Sequence, residues 1–174
     1  MPGEYTFSPG EVVNAAKMTT YWMDAASVTK SVDESVTSST TNQDDNELVL
    51  DVRANTTYWV ECFLMYSASA AGDIKTTYSG PSGSTFDWCA DSNTSTATET
   101  VAPVSRSLQG LGNTPSHGGL EQSGTPLEMC ALHKGVLTVG GTAGQLRLRW
   151  AQLASSTTPS KVLAGSTLMI TRIT

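Results

Sequence analysis

The sequence predicts a mainly β protein: an antiparallel two-sheet sandwich or jelly roll, preceded by a short N-terminal α-helix. Three observations carry this. Ser and Thr make up about a quarter of the 174 residues, while charged residues are only 15%. Branched Thr fits a pleated strand better than a helical turn. The 15 Gly and 7 Pro divide the chain into short segments of period two, with no helical crossover between them. Roughly eight or nine strands follow at spacings near 10–15 residues, as in sandwiches.

The helix comes first. Ser8-Pro9-Gly10-Glu11 reads as a capping box, with Ser8 as N-cap, Pro9 at the first helical position and Glu11 reaching back. The spacing extends the helix to about Asp24. Val12, Ala16, Thr19, Trp22 and Met23 make a short stripe along it. Such a stripe docks either on the body of the same chain or on a partner.

Beyond it the period changes. Ser35–Thr41 is polar and β-branched. Residues 42–46 (NQDDN) read as a turn whose side chains bond their own backbone. Leu48, Leu50 and Val52 alternate, and Asn55 marks the next turn. Thr57–Tyr66 (TYWVECFLMY) is apolar on both faces except for Glu61, which predicts a central strand buried on both sides. Ile74, Thr76 and Tyr78 alternate, and Phe86 and Trp88 share one face. Residues 91–126 are rich in Ser, Thr and Gly and poor in large apolar side chains, so they read as a long exposed connection holding one thin strand near Glu99–Ser107. Strands resume at 127–133 and 135–139, then at Leu146–Trp150, Lys161–Leu163 and Ser166–Ile173. The organisation is thus an arm and helix, 1–26, followed by a sandwich domain, 27–174.

Chemistry leaves few marks. A net charge of −6 and a pI near 4.7 argue against nucleic-acid binding, which needs Lys and Arg to displace counterions. Arg147 and Arg149 alternate with Leu146, Leu148 and Trp150, a strand with one wet face. Cys62, Cys89 and Cys130 have no CxxC spacing, and buried free thiols are expected, with a Cys62–Cys89 bridge left open. His117 and His133 have no second ligand at metal spacing, and a hydrolase would need one of them beside a carboxylate and a nucleophile. Asp44, Asp45, Asp87 and Asp91 read as solvated carboxylates. The stretch 140–144 lacks a GK[ST] ending and leads into a strand, so it is a hairpin turn and not a phosphate loop. No catalytic residue, cofactor or metal is expected. Trp59, Trp88 and Trp150 are read as core rather than as a sugar platform. No stretch approaches a membrane span, and the first residues lack a basic region followed by an apolar run.

Three stretches carry a resemblance. Phe7–Tyr21 (FSPGEVVNAAKMTTY) is similar to an opening found in virion proteins of tailed phages. Glu34–Leu48 (ESVTSSTTNQDDNEL) with the Tyr58–Tyr66 strand, and Gly141–Gln152 (GTAGQLRLRWAQ) with Ala164–Leu168, resemble a β-sandwich module in virion proteins of phages that infect actinobacteria. The resemblance implies a structural protein of the virion outer surface, made in the host cytoplasm, either capsid decoration or a minor tail protein. Its partners would be major capsid or tail proteins, it would be a homotrimer, and a host surface glycan is an alternative ligand. It carries over no active-site residue.

Overall fold

The computed structural model describes residues 8–12, 14, 25–96 and 103–173. Within them the predicted N-terminal helix is corrected. Ser8–Glu11 closes a turn: the Glu11 N–H donates to the Ser8 carbonyl at 3.0 Å, and the Ser8 N–H donates to Glu11 Oε2 at 3.0 Å. Gly10 takes φ +81°, a left-handed conformation outside the helical region. Pro9 then Gly10 is the residue pair of a type II turn, so the capping-box residues serve a turn and not a helix. No helix occurs among the described residues, and the remainder of the predicted helix, with Ala16, Thr19, Trp22 and Met23, lies outside them.

The predicted sandwich is present. The strands are β1 Ala25–Thr29, β2 Glu34–Val36, β3 Gln43–Val52, β4 Thr57–Ser67, β5 Ile74–Ser79 and β6 Thr85–Asn93. Five short pairing segments follow: β7 Val104–Ser105, β8 Leu108–Gln109, β9 Ser116–His117, β10 Glu121–Gln122 and β11 Thr125–Pro126. The chain then makes β12 Glu128–Thr138, β13 Gly144–Ala151, β14 Ser160–Val162 and β15 Thr167–Arg172. The larger sheet runs β1-β15-β4-β12-β6-β7, with β14 bridging β2 and β4 and with β8 also paired to β6. The smaller sheet runs β3-β13-β5-β9, and β10 and β11 form a separate hairpin.

One core lies between the two sheets. Tyr58, Val60, Leu64, Tyr66, Phe86 and Trp88 enter it from the larger sheet, and Leu48, Tyr78, Leu146, Leu148 and Trp150 from the smaller. Tyr78 meets both Phe86 and Trp88 edge-on, with centroids 5.1 and 5.0 Å away. That geometry sets the positive ring edge against the negative face, an arrangement worth about 1 kcal/mol beyond burial.

Three sequence expectations change here. Residues 43–46 of the predicted 42–46 turn are instead part of β3. Between the pairs Val49–Arg147 and Asp44–Arg149 the register shifts, and the intervening residues bulge. Asp45 Oδ1 holds the bulge by accepting the N–H groups of Glu47 (3.0 Å) and Leu48 (2.8 Å). The self-bonding side chain that reads as a turn thus works inside a strand.

β4 is buried on one face only. Tyr58, Val60, Cys62, Leu64 and Tyr66 point inward, while Trp59 and Phe63 face out. The second sheet covers one side of β4, and no described residue layer covers the other.

Residues 91–126 are not a free connection. β6 runs on to Asn93, and β7, β8 and β9 lash the segment to β6 and β5. Residues 97–102 of it lie outside the described ones. Gly118 and Gly119 permit the close approach: a Cβ on Gly118 would collide with the Thr94 carbonyl, and one on Gly119 with the Ser69 carbonyl. The predicted thin strand near 99–107 corresponds, within the described residues, to Val104–Ser105.

Candidate functional site

Among the described residues, the outer face of β4, β12 and β15 leaves several large apolar side chains exposed together. Alternation along β4 sends Trp59, Glu61, Phe63 and Met65 outward. The antiparallel register sets Val136 beside Trp59, Lys134 beside Glu61, Leu132 beside Phe63 and Cys130 beside Met65. On the other flank β15 brings Met169 level with Glu61. Trp59 is 38% exposed, Phe63 42%, Leu132 40% and Met169 40%. Phe63, Leu132 and Met169 line a shallow depression of about 170 Å³. Its charges are Glu61 and Lys134, whose side chains meet at 3.4 Å across the strands. The Glu61–Lys134 pair thus crosses the middle of the face, with Trp59 and Val136 on one side of it and Phe63 and Leu132 on the other. Exposed large apolar side chains grouped around a charge pair mark a candidate interaction surface. The sequence carried its signal: TYWVECFLMY has no polar face, and in this sandwich only one of its faces meets the core.

The tryptophan expectation therefore divides. Trp88 and Trp150 are fully buried core residues, as expected, but Trp59 is not. Of the expected docking residues, Val12 is 77% exposed, and the other four lie outside the described residues.

A second assembly is buried. β9 carries His117 into the core, where Nε2 lies 2.7 Å from Thr76 Oγ1 and Nδ1 lies 2.6 Å from Ser92 Oγ. His133, on β12, stacks on it with centroids 5.2 Å apart and bonds Tyr78 OH through Nδ1 at 2.9 Å. Burial pushes His117 down to about 4. Burial first, and then the neighbouring His117, push His133 down as well. Burial also pushes the Cys62 thiol, beneath Tyr78, up to about 12. Both imidazoles are thus neutral at pH 7. A hydroxyl occupies each nitrogen of His117, and among the described residues no carboxylate bonds to either ring. The arrangement can share neutral hydrogen bonds and pack. Sequence reasoning missed this pair because nothing in the spacing of residues 117 and 133 marks the contact.

The acidic residues also divide. Asp45 is wholly buried and accepts Lys30 Nζ on both oxygens at 3.0 Å, while Glu34 accepts the same ammonium at 3.0 Å. Burial pulls the Lys30 pKa down, but the bonds to Glu34 and Asp45 outweigh it and the net shift is upward. This corrects the reading of Asp45 as solvated. Asp44 is outside, 2.7 Å from Arg149 Nε. Asp91 pairs with Arg106 at 2.7 Å. Arg147 and Arg149 lie on the polar face of β13 opposite Asp44, as expected. The cysteines are free: Cys62 is buried, Cys89 half-buried and Cys130 exposed, so the buried-thiol reading holds for Cys62 alone. Among the described residues no three His, Cys, Asp or Glu side chains are placed to hold a metal ion, and no helix is long and apolar enough to cross a membrane.

No family model matches the sequence, and no curated protein matches it. A solved structure described as the "Structure of infectious bursal disease virus Gx strain" is similar at 10% identity and a TM-score of 0.21. The alignment covers 98% of this chain and 44% of that one, so this chain spans less than half of its length. A TM-score that low carries no weight for fold or function.

Proposed function

We propose that this chain is a non-enzymatic structural protein of the bacteriophage virion exterior, a capsid decoration or minor tail component that works by docking on other proteins. The observation that supports it is the flat apolar face around Phe63, Leu132 and Met169, carried on a rigid two-sheet body. Such a face offers contact area and little chemistry. The resemblance of Phe7–Tyr21 and Gly141–Gln152 to tailed-phage virion proteins supplies the setting. Residues 1–26 are the proposed attachment to the particle.

The test is gold-labelled antibody against the recombinant protein, imaged on purified particles. Label over the head makes it decoration, and label on the tail makes it a tail component. Absence of label from particles, with a positive blot of infected cells, refutes the proposal. Deletion of residues 1–24, which spares β1, is expected to abolish attachment while the sandwich still folds, and retained attachment would refute their role as anchor.

The exposure of Trp59 and Phe63 favours one alternative, a module that binds host surface glycan. Four residues apart on one strand, they are about 13 Å apart, and aromatic faces stack on sugars. This reading expects host cell-wall oligosaccharides to quench Trp fluorescence in the native protein and not in Trp59→Ala. Equal response in both would remove it.

A further inference from the structure

We infer that the outer face of β4 and β12 is an interface with a second copy of this chain, related by a two-fold axis that runs parallel to the strands and lies between β4 and β12. This deepens the docking reading by naming the occupant of the same face.

The argument rests on the register. Glu61 lies beside Lys134, Phe63 beside Leu132 and Trp59 beside Val136. Rotation about an axis along the strands preserves each residue's level and exchanges the two strands. Glu61 of one copy then lies over Lys134 of the other, and this happens twice. Phe63 lies over Leu132, and Trp59 over Val136. Charge meets opposite charge, and apolar meets apolar.

The flanks follow the same rule. Met169 on β15 is level with Glu61, and Cys89 on β6 is level with Lys134. Met169 therefore lies over Cys89 of the second copy. Thr167 lies over Asp91 and Thr171 over Asp87, so the rim is polar.

A two-fold axis running across the strands at the level of this pair would instead stack Glu61 on Glu61 and Lys134 on Lys134, which is repulsive, and one displaced by a residue along the strands would set each charge on an apolar side chain. The charges thus select the axis. With it the strands of the two copies stay roughly aligned, the common geometry of sheet-on-sheet packing. A two-fold contact is also self-complementary, using one patch on both copies, whereas the trimer implied by the sequence resemblance would join two different patches.

The footprint is modest. From β15 to β6 is three strand spacings, about 14 Å, and Trp59 to Met65 is about 20 Å along the strand. An interface of this size is expected to be reversible and concentration-dependent.

The experiment is sedimentation of the full chain over a range of concentrations. The mass is expected to rise from 18.3 kDa toward twice that value. Glu61→Lys alone, or Lys134→Glu alone, places like charges opposite each other and is expected to weaken association by about tenfold or more. The double swap, Glu61→Lys with Lys134→Glu, restores the opposite pairing and is expected to recover it.

A monomer at every concentration overturns the inference. So does a threefold mass indifferent to the reversals, or a double swap that fails to restore association. Labelling of particles tests the virion reading separately, so the two can fail apart.

Discussion

Lowering the pH from 8 to 5 is expected to remove about 2 kcal/mol of folding stability through His117 alone. The ring is wholly buried between Thr76 and Ser92, and burial holds its pKa at about 4 against an ordinary value of 6.5. In the unfolded chain it takes a proton near pH 6.5, while in the folded protein it does not until about pH 4. The unfolded state therefore binds more protons, and stability falls as the pH falls between those values. The contribution is full well above pH 6.5, and the loss reaches about 3 kcal/mol at pH 4 and levels off below it. His133 is shifted the same way and adds to the loss.

Asp73 works in the opposite sense. Burial raises its pKa, so the folded state takes that proton first and gains relative stability as the pH drops. A comparison with His117→Gln cancels this and the other groups that do not touch His117, and leaves in His133 the larger cause of its shift, burial. The amide keeps a donor and an acceptor for the two hydroxyls and has no titration. Urea unfolding of both proteins at pH 8, 7, 6 and 5 is the assay. The wild type is expected to lose about 2 kcal/mol more than the variant over that range. Equal losses would refute the reasoning, as would an imidazole resonance of His117 in the folded protein titrating near pH 6.5.

Three further outcomes are expected. Lys30→Met strands the buried Asp45 carboxylate and is expected to destabilise by about 3–5 kcal/mol in urea unfolding, with Lys30→Met/Asp45→Asn, which removes the charge and keeps the acceptor for the Glu47 and Leu48 N–H groups, recovering much of it. Trp88→Ala empties a closed core site and is expected to cost about 3–5 kcal/mol, whereas Trp59→Ala on the open face is expected to cost under about 1 kcal/mol by the same measurement. A thiol reagent is expected to modify Cys130 in the native protein, and Cys62 only after unfolding, because burial pushes the Cys62 thiol up to about 12. Mass mapping of the labelled peptides reads that directly.

Most strand positions were legible because the apolar residues repeat at two. Leu48–Val52, Thr57–Tyr66, Ile74–Tyr78, Phe86–Trp88 and Leu146–Trp150 all lie in strands. Asn55 marks its turn with φ +54°. β1 was missed because AASVT holds a single large apolar residue, Val28, and owes its place to pairing with β15. The segment 91–126 misled for a related reason. It docks through β pairing and the hydroxyl bonds of His117, and these leave no hydrophobic pattern in sequence. Asp45 shows the same limit, since a carboxylate in a turn-like run looks solvated until Lys30, fifteen residues away, is seen beside it. The outer face was half legible. The double-sided apolarity of β4 was plain, but periodicity does not say whether the second face meets this chain or another.

The strand order has a consequence for how the molecule comes into being. Taken as the segments before and after residue 100, the main strands of the larger sheet alternate between the two: β1, then β15, β4, β12 and β6. In the smaller sheet β13 stands between β3 and β5. No long strand of the first segment has another as its lateral neighbour. That segment can emerge from a ribosome without any of its long strands finding a lasting mate. β4 waits with both faces and both edges open until β12 and β15 arrive. Unpaired apolar strands of this kind are the species most prone to association during synthesis. Once the second segment has threaded between them, neither can leave without unzipping the other, and the molecule gains or loses its structure in one cooperative step.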